Sequence, residues 1–201
     1  MEIFNCVLAS LIAYLLGSIS FAYIVTKLVS GQDIRTIGSG SAGTTNTARA
    51  VGKPLAMLVL LLDWMKGYIS AEIGFMLAAE TGGVLAFVFV VLGHTFPLWL
   101  GFRGGKGVAC AGGALLSLSP LVLGIALSVF IALVAISGYV SLGSVVACVV
   151  IVLLALIVPL PMIYRAFFVI MPLIVLYMHR ANIRRLLSGT ESKTFHNKKA
   201  A

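Results

Sequence analysis

Residues 38–49, GSGSAGTTNTAR, lie between two long apolar runs and match the composition of neither. Three glycines, two serines, three threonines, an asparagine and an arginine fall within twelve positions. Such a stretch offers bare backbone N–H groups, hydroxyls and a fixed cation, the inventory that holds a phosphate. The runs around it decide the fold. The chain is 61% hydrophobic and only 10% charged, with a mean hydropathy of +1.13. A soluble domain carries about 25% charged residues, so the chain reads as a polytopic membrane protein.

The net charge of +8 does not argue for nucleic acid, because the basic residues cluster in loops and at the tail. Cys6, Cys110 and Cys148 are odd in number and sit inside apolar runs. They read as small hydrophobes, neither a disulfide framework nor a metal site. The N-terminal run has Glu2 as its only charge and no basic flank, so it reads as a retained first helix and not a signal peptide.

A first span is expected over 3–27, long enough for about 30 Å of hydrocarbon. Lys27, Arg35, Arg49 and Lys53 place the next loop in the cytoplasm and the N-terminus outside. Pro54 suits the first turn of a second helix, 54–79, which carries Asp63, Lys66 and Glu72. An outer turn follows at 80–83 (ETGG), then a third span over 84–100.

A second glycine-rich stretch, 101–107 (GFRGGKG), is again basic. The apolar segment 108–118 after it is short. One reading is a single helix over 108–137 kinked at Pro120; the preferred one is a short crossing helix, a turn at Ser119-Pro120 and a return over 121–136. A half-helix starting at the glycine loop would face its N-terminus toward anions. Spans over 142–158 and 162–178 follow, and the basic tail starts at His179, with His179–Arg185 reading HRANIRR. The expected fold is all-α: one integral membrane domain, 1–201, of seven transmembrane helices with a cytoplasmic C-terminus. Segments 28–53, 101–107 and 179–201 then face the cytoplasm. Arg165, near the outer end of the last span, is the exception and reads as a cation snorkelling to the outer headgroups.

Familiar motifs fail here. Gly38, Gly40 and Gly43 form a G-x-G-x-x-G, but the strand that a dinucleotide fold needs before it is missing. In GFRGGKG, Lys106 is followed by Gly107 and not Ser or Thr, so the Walker pattern is not met. The shared physics survives: glycine permits close backbone approach and Lys106 adds a point charge. Asp63 and Lys66 share a helix face inside an apolar segment, and read equally as a buried pair or as substrate contacts. His94 reads as a helix-end donor or a base, and His179 as a ligand contact or a cap. No Ser-His-Asp arrangement is evident, and HTFPLW after His94 lacks an H-x-x-x-x-D pairing.

Taken together, LLGSISFAYIV, GSGSAGTTNTAR, LDWMKG, GHTFPLWLGFRGGKGVA, YVSL and HRANIRRLL resemble the bacterial acyl-phosphate:glycerol-3-phosphate acyltransferases, the PlsY family. The resemblance covers nearly the whole chain. It implies a seven-helix enzyme of the bacterial plasma (inner) membrane, active site facing the cytoplasm, with no metal or other cofactor. The reaction it implies moves an acyl group from acyl phosphate to the sn-1 hydroxyl of glycerol 3-phosphate, giving lysophosphatidic acid and phosphate. The bilayer and a soluble enzyme that makes acyl phosphate are the implied partners. Carried over by position, Ser39, Arg49 and Lys106 are the catalytic residues. Thr45, Asn46, Gly104, Gly105, Gly107, Ser141, His179 and Asn182 are the substrate-binding ones. Arg49 and Lys106 bind phosphate, the 104–107 backbone takes the acyl-phosphate head, and His179 with Asn182 takes the glycerol phosphate. Two positions depart from the family. Ser41 stands where members often have Asn, and the turn 136–139 lacks basic residues that some members carry. The rival reading is a transporter of an organophosphate or other anion, which would also want glycine-rich loops and intramembrane charges. The absence of an inverted repeat in the sequence disfavours it.

Overall fold

The computed structural model describes residues 1–193. His196, Lys198 and Lys199, part of the basic tail in sequence, lie outside the described residues. Among the described residues every regular element is helical. The chain divides into two compact units, one over Met1–Pro120 and one from Leu121 onward.

In the first unit, α1 (Glu2–Ser18) and α2 (Phe21–Ser30) together make the first apolar run. The run was expected unbroken, yet the backbone leaves the helix at Ile19. Two hydroxyls explain the break. Ser18 Oγ donates back to Tyr14 O at 2.8 Å, which bends a helix end. Ser20 then caps α2, its Oγ accepting from the Tyr23 N–H. Helix α2 stops at Gly31, whose φ of 69° closes the end.

A short helix α3 (Thr44–Val51) leads into α4 (Lys53–Thr95). Helix α4 is interrupted at Ala78 and Ala79, which leave the helical region. There it folds back on itself. A Cβ built on Gly74 would overlap Gly82 O, one built on Gly82 would overlap Gly74 O, and Gly83 lies against the Phe75 ring. The turn therefore comes before 80–83, where the sequence suggested it. Gly82 and Gly83 are not turn residues; they are the flat face on which the two limbs pack. Small residues serve that purpose in membranes, where backbones associate by close approach.

The same device recurs. Gly17 of α1 meets Val90 O on the return limb, and Gly93 meets Tyr14 O. Gly67 meets Cys110 O of α5 (Val108–Leu118), whose Gly113 meets Trp64 O. The chain leaves the helix at Ser119 (φ −156°), so 108–137 is two helices, not one kinked rod.

The second unit holds α6 (Pro120–Ser137), α7 (Val140–Ile157), α8 (Met162–Met178) and α9 (Arg180–Leu187). Gly143 of α7 packs on Phe130 and Val134 of α6. Helices α8 and α9 bend by 62° at His179. Among the described residues, four stretches are long and apolar enough to cross a membrane: Glu2–Ser30, Lys53–Leu100, Pro120–Ser137 and Val140–Ile157; counting the bent α8–α9 pair makes five.

Candidate active site

Fold and local sequence together hold the first loop. Ile34 and Ala42 are buried with Ala22 and Val59, which seats the loop on α2 and α4. Between these anchors the backbone turns at Gly38 (φ 55°) and Gly40 (φ 69°). Asn46, 2% exposed, organises the turn. Its Nδ2 donates to Ile34 O (3.0 Å) and Ile37 O (2.9 Å), and its Oδ1 accepts the Ser39 N–H (3.1 Å). A buried amide is expected to use its donors and acceptor in this way. Asn46 was expected to bind substrate, but its amide is spent on the loop backbone, which makes it the loop's brace. Arg49, one helical turn on, is exposed, and its stem passes beside Gly38. Ser39 is exposed and Thr45 half-buried in the first turn of α3.

The second loop is pinned just as closely. The Gly104 N–H donates to Thr95 O and the Gly105 N–H to His94 O, both at 3.0 Å. Gly104 O in turn accepts the Ala42 N–H at 3.2 Å, joining the two loops. No side chain fits here: a Cβ on Gly104 would overlap His94 O, and one on Gly105 would overlap His94 Nε2. The N–H groups of Gly104 and Gly105, expected to bind the acyl-phosphate head, are thus committed within the loop. Gly107 (φ 84°) is the N-cap of α5 and Gly43 that of α3, so among the described residues neither helix start has a side-chain cap from its N-cap residue. Unpaired N–H groups at a helix start favour an anion. Lys106 is half-buried beside this start.

Arg35 ties the loops a second time. It forks onto Asp33, with Nη2 at 2.6 Å from the carboxylate, and Nη1 donates to Leu100 O at 2.7 Å. The hydrogen bond from Arg35 holds the Asp33 carboxyl below its ordinary value despite some burial, and the guanidinium is raised correspondingly. Sequence reading treated Arg35 only as a topological charge.

In the second unit, three donors converge on one carboxylate. Ser141 Oγ (2.8 Å) and Asn182 Nδ2 (2.6 Å) donate to Glu191 Oε1, and Arg185 Nε donates to Oε2 at 2.6 Å. Burial pushes the Glu191 carboxyl up, but hydrogen bonds from Asn182, Ser141 and Arg185 outweigh it and hold the group below its ordinary value. His179 is 3% exposed, and its Nδ1–H donates to Val175 O at 2.8 Å. Ser141 and Asn182, both expected at the site, are therefore brought together, and Glu191 was missed. Its signal was faint: a single acid in a basic tail.

The chain matches the family model described as glycerol-3-phosphate acyltransferase over residues 7–189. It is 46% identical over 201 residues to the glycerol-3-phosphate acyltransferase of Clostridioides difficile (strain 630), covering 96% of this chain and 97% of that one. It is 44% identical over 187 residues to that of Thermoanaerobacter sp. (strain X514), covering 93% and 94%. Two crystal structures of PlsY, an integral membrane glycerol 3-phosphate acyltransferase, are similar throughout. The glycerol 3-phosphate form superposes with a TM-score of 0.89 at 36% identity, covering 94% of each chain. The lysophosphatidic acid form does so with 0.85 at 35%, covering 94% of each. Helices, glycine loops and likeness together define a membrane-embedded acyltransferase. This chain belongs to the glycerol-3-phosphate acyltransferase family.

Proposed function

We propose that the chain transfers a fatty acyl group from acyl phosphate to the sn-1 hydroxyl of glycerol 3-phosphate. One observation carries the reading. Two glycine-rich loops, joined by the Ala42–Gly104 hydrogen bond, each run into a helix start whose N-cap is glycine, with Arg49 on the first helix and Lys106 in the second loop. Two cations and two sets of backbone N–H groups suit a reaction between two phosphate-bearing molecules. The similar crystal structures, with glycerol 3-phosphate in one form and lysophosphatidic acid in the other, support the acceptor and the product.

The acyl phosphate is an activated mixed anhydride. The hydroxyl oxygen attacks its carbonyl carbon, the bond from that carbon to the bridging oxygen breaks, and inorganic phosphate leaves. The hydroxyl proton passes to a phosphate oxygen of a bound substrate. The protein's task is positioning and charge screening. Arg49 and Lys106 offset the repulsion between two phosphates, Ser39 and Thr45 supply hydroxyls, and Gly107 opens α5 toward the acyl-phosphate head. Gly104 and Gly105 act by shape. The family likeness assigns Ser141, His179 and Asn182 to the glycerol phosphate, and within the second unit Ser141 and Asn182 hold the Glu191 carboxylate.

The chain crosses the bacterial inner membrane seven times in this reading, with the two limbs of α4 and the short α5 counted separately. The N-terminus is outside, and segments 28–53, 101–107 and 179–201 face the cytoplasm, where a soluble enzyme supplies acyl phosphate. The reaction uses neither metal nor cofactor. The test is purified protein given acyl phosphate and glycerol 3-phosphate: phosphate release matched one to one by lysophosphatidic acid is expected. Movement of glycerol 3-phosphate across proteoliposomes with no acylated product would overturn the reading.

A further inference from the structure

Asp63, Lys66 and His94 are buried ionisable groups that the proposed reaction does not touch. The geometry points to a positioning relay in which Lys66 fixes Asp63, Asp63 fixes the His94 ring, and that ring sets the second glycine loop. Lys66 Nζ sits 2.7 Å from Asp63 Oδ1. Its remaining donors go to Gly17 O (3.1 Å) and Ile19 O (2.8 Å), the carbonyls left open where α1 breaks. Lys66 thus holds two backbone carbonyls by hydrogen bonds and the Asp63 carboxylate as an ion pair.

Asp63 Oδ1 also faces His94 Nδ1, at 3.5 Å. The other edge of the ring, Nε2, lies against Gly105, where any Cβ would overlap it. The carbonyl of the same histidine accepts the Gly105 N–H. His94 thus grips Gly105 twice, once by its backbone and once by its ring. Lys106 follows directly, so the ring's placement is passed on to the cation and to the start of α5. The first loop is reached as well, through Ala42 and Gly104.

A buried ion pair is a poor source of stability, since desolvation offsets the attraction and apolar replacement is often neutral. Its retention inside an apolar helix is better explained by the geometry it imposes. No proton transfer is assigned to these residues; they act through the loop.

The activity arm of the test rests on the acyl-transfer reading, whereas the exchange arm does not. Membrane-embedded wild type, His94→Gln, Asp63→Asn and the charge-free pair Asp63→Leu/Lys66→Met are compared. The readouts are amide hydrogen exchange of the peptide 101–107, thermal unfolding, and turnover at saturating substrate. His94→Gln and the charge-free pair should exchange at least tenfold faster in this peptide, with helix α7 unchanged, and turn over at least tenfold more slowly. The charge-free pair also leaves Gly17 O and Ile19 O without their Lys66 donors, so its unfolding temperature should fall, and exchange of 101–107 is read relative to helix α7. Asp63→Asn keeps an oxygen for Nδ1 and should retain more turnover than the pair. Should the pair not fold, His94→Gln decides alone. Wild-type exchange of 101–107 in His94→Gln overturns the relay, as does a uniform rise along the whole chain. Fast loop exchange with wild-type turnover upholds the relay and refutes the loop's part in the reaction.

Discussion

The Ala42 N–H donates to Gly104 O at 3.2 Å, across 62 residues of sequence that include the whole of α4. That contact exists because α4 turns at Ala78–Ala79 and returns the chain to the end from which it left. The glycine loops flank one helical hairpin, and their meeting follows from its two limbs.

Orientation in the membrane can be read by cysteine labelling in a cysteine-free background. Cysteines at Ser41, Arg103 and Ser192 should react from the cytoplasmic side, and one at Glu80 from outside. Labelling of Ser41 and Arg103 from opposite sides would contradict the hairpin itself.

The planar fork of Arg49 matches a phosphate in a way that an ammonium does not. Arg49→Lys should cost at least tenfold in kcat/KM, roughly 1.4 kcal/mol of transition-state binding. Unfolding temperature should be unchanged, since the side chain is exposed. Wild-type kinetics would reduce Arg49 to a topological charge.

Asn46→Asp keeps the shape and the acceptor for the Ser39 N–H but loses the donors to Ile34 O and Ile37 O. Each carbonyl keeps a backbone donor, the Ile37 N–H and the Gly40 N–H, so the cost is two lost hydrogen bonds, about 0.5–1.5 kcal/mol each, with a carboxylate oxygen now facing the two carbonyls. Both unfolding temperature and turnover should fall. A loss of substrate affinity with full stability would return Asn46 to the ligand side.

Glu191 gives a pH dependence. Its carboxyl sits below the ordinary value of 4.5 in the folded chain. A group depressed in this way stabilises the fold above its unfolded value, and the contribution is lost as pH falls through the folded value. Glu191→Gln should therefore be less stable than wild type at pH 7. The gap should close as pH drops below about 4.5. A gap constant from neutral to about pH 3.5 would show that the carboxylate contributes no charge-dependent stability.

Much of this was legible in the sequence because polarity inside an apolar chain is costly and therefore conspicuous. Residues 38–49 and 101–107 stood out on composition alone, Asp63 and Lys66 were visible as intramembrane charges, and His94 as a helix-end donor or a base. What they touch was not legible. Asn46 and Thr45 look alike in a motif, and only geometry shows that the amide of Asn46 faces the loop. Gly82 and Gly83 resembled a turn because glycine serves turns and close packing equally. The break at Ile19 was hidden because hydrophobicity runs through it without pause. Glu191 gains its meaning from Ser141, fifty residues earlier, a distance over which no local pattern extends.

The glycine seams of α4 make chain length itself a constrained quantity. Inserting one residue into either limb would turn everything beyond it by about 100° and advance it by about 1.5 Å. Between Ala79 and Gly82 it would lift Gly82 off Gly74 and swing His94 away from Asp63 in one stroke. A conservative substitution spares both. Divergence along 53–95 is therefore free to change side chains on the outward faces but not to gain or lose a residue, whereas the exposed turn at Gly31 and Gln32 has no such register to keep.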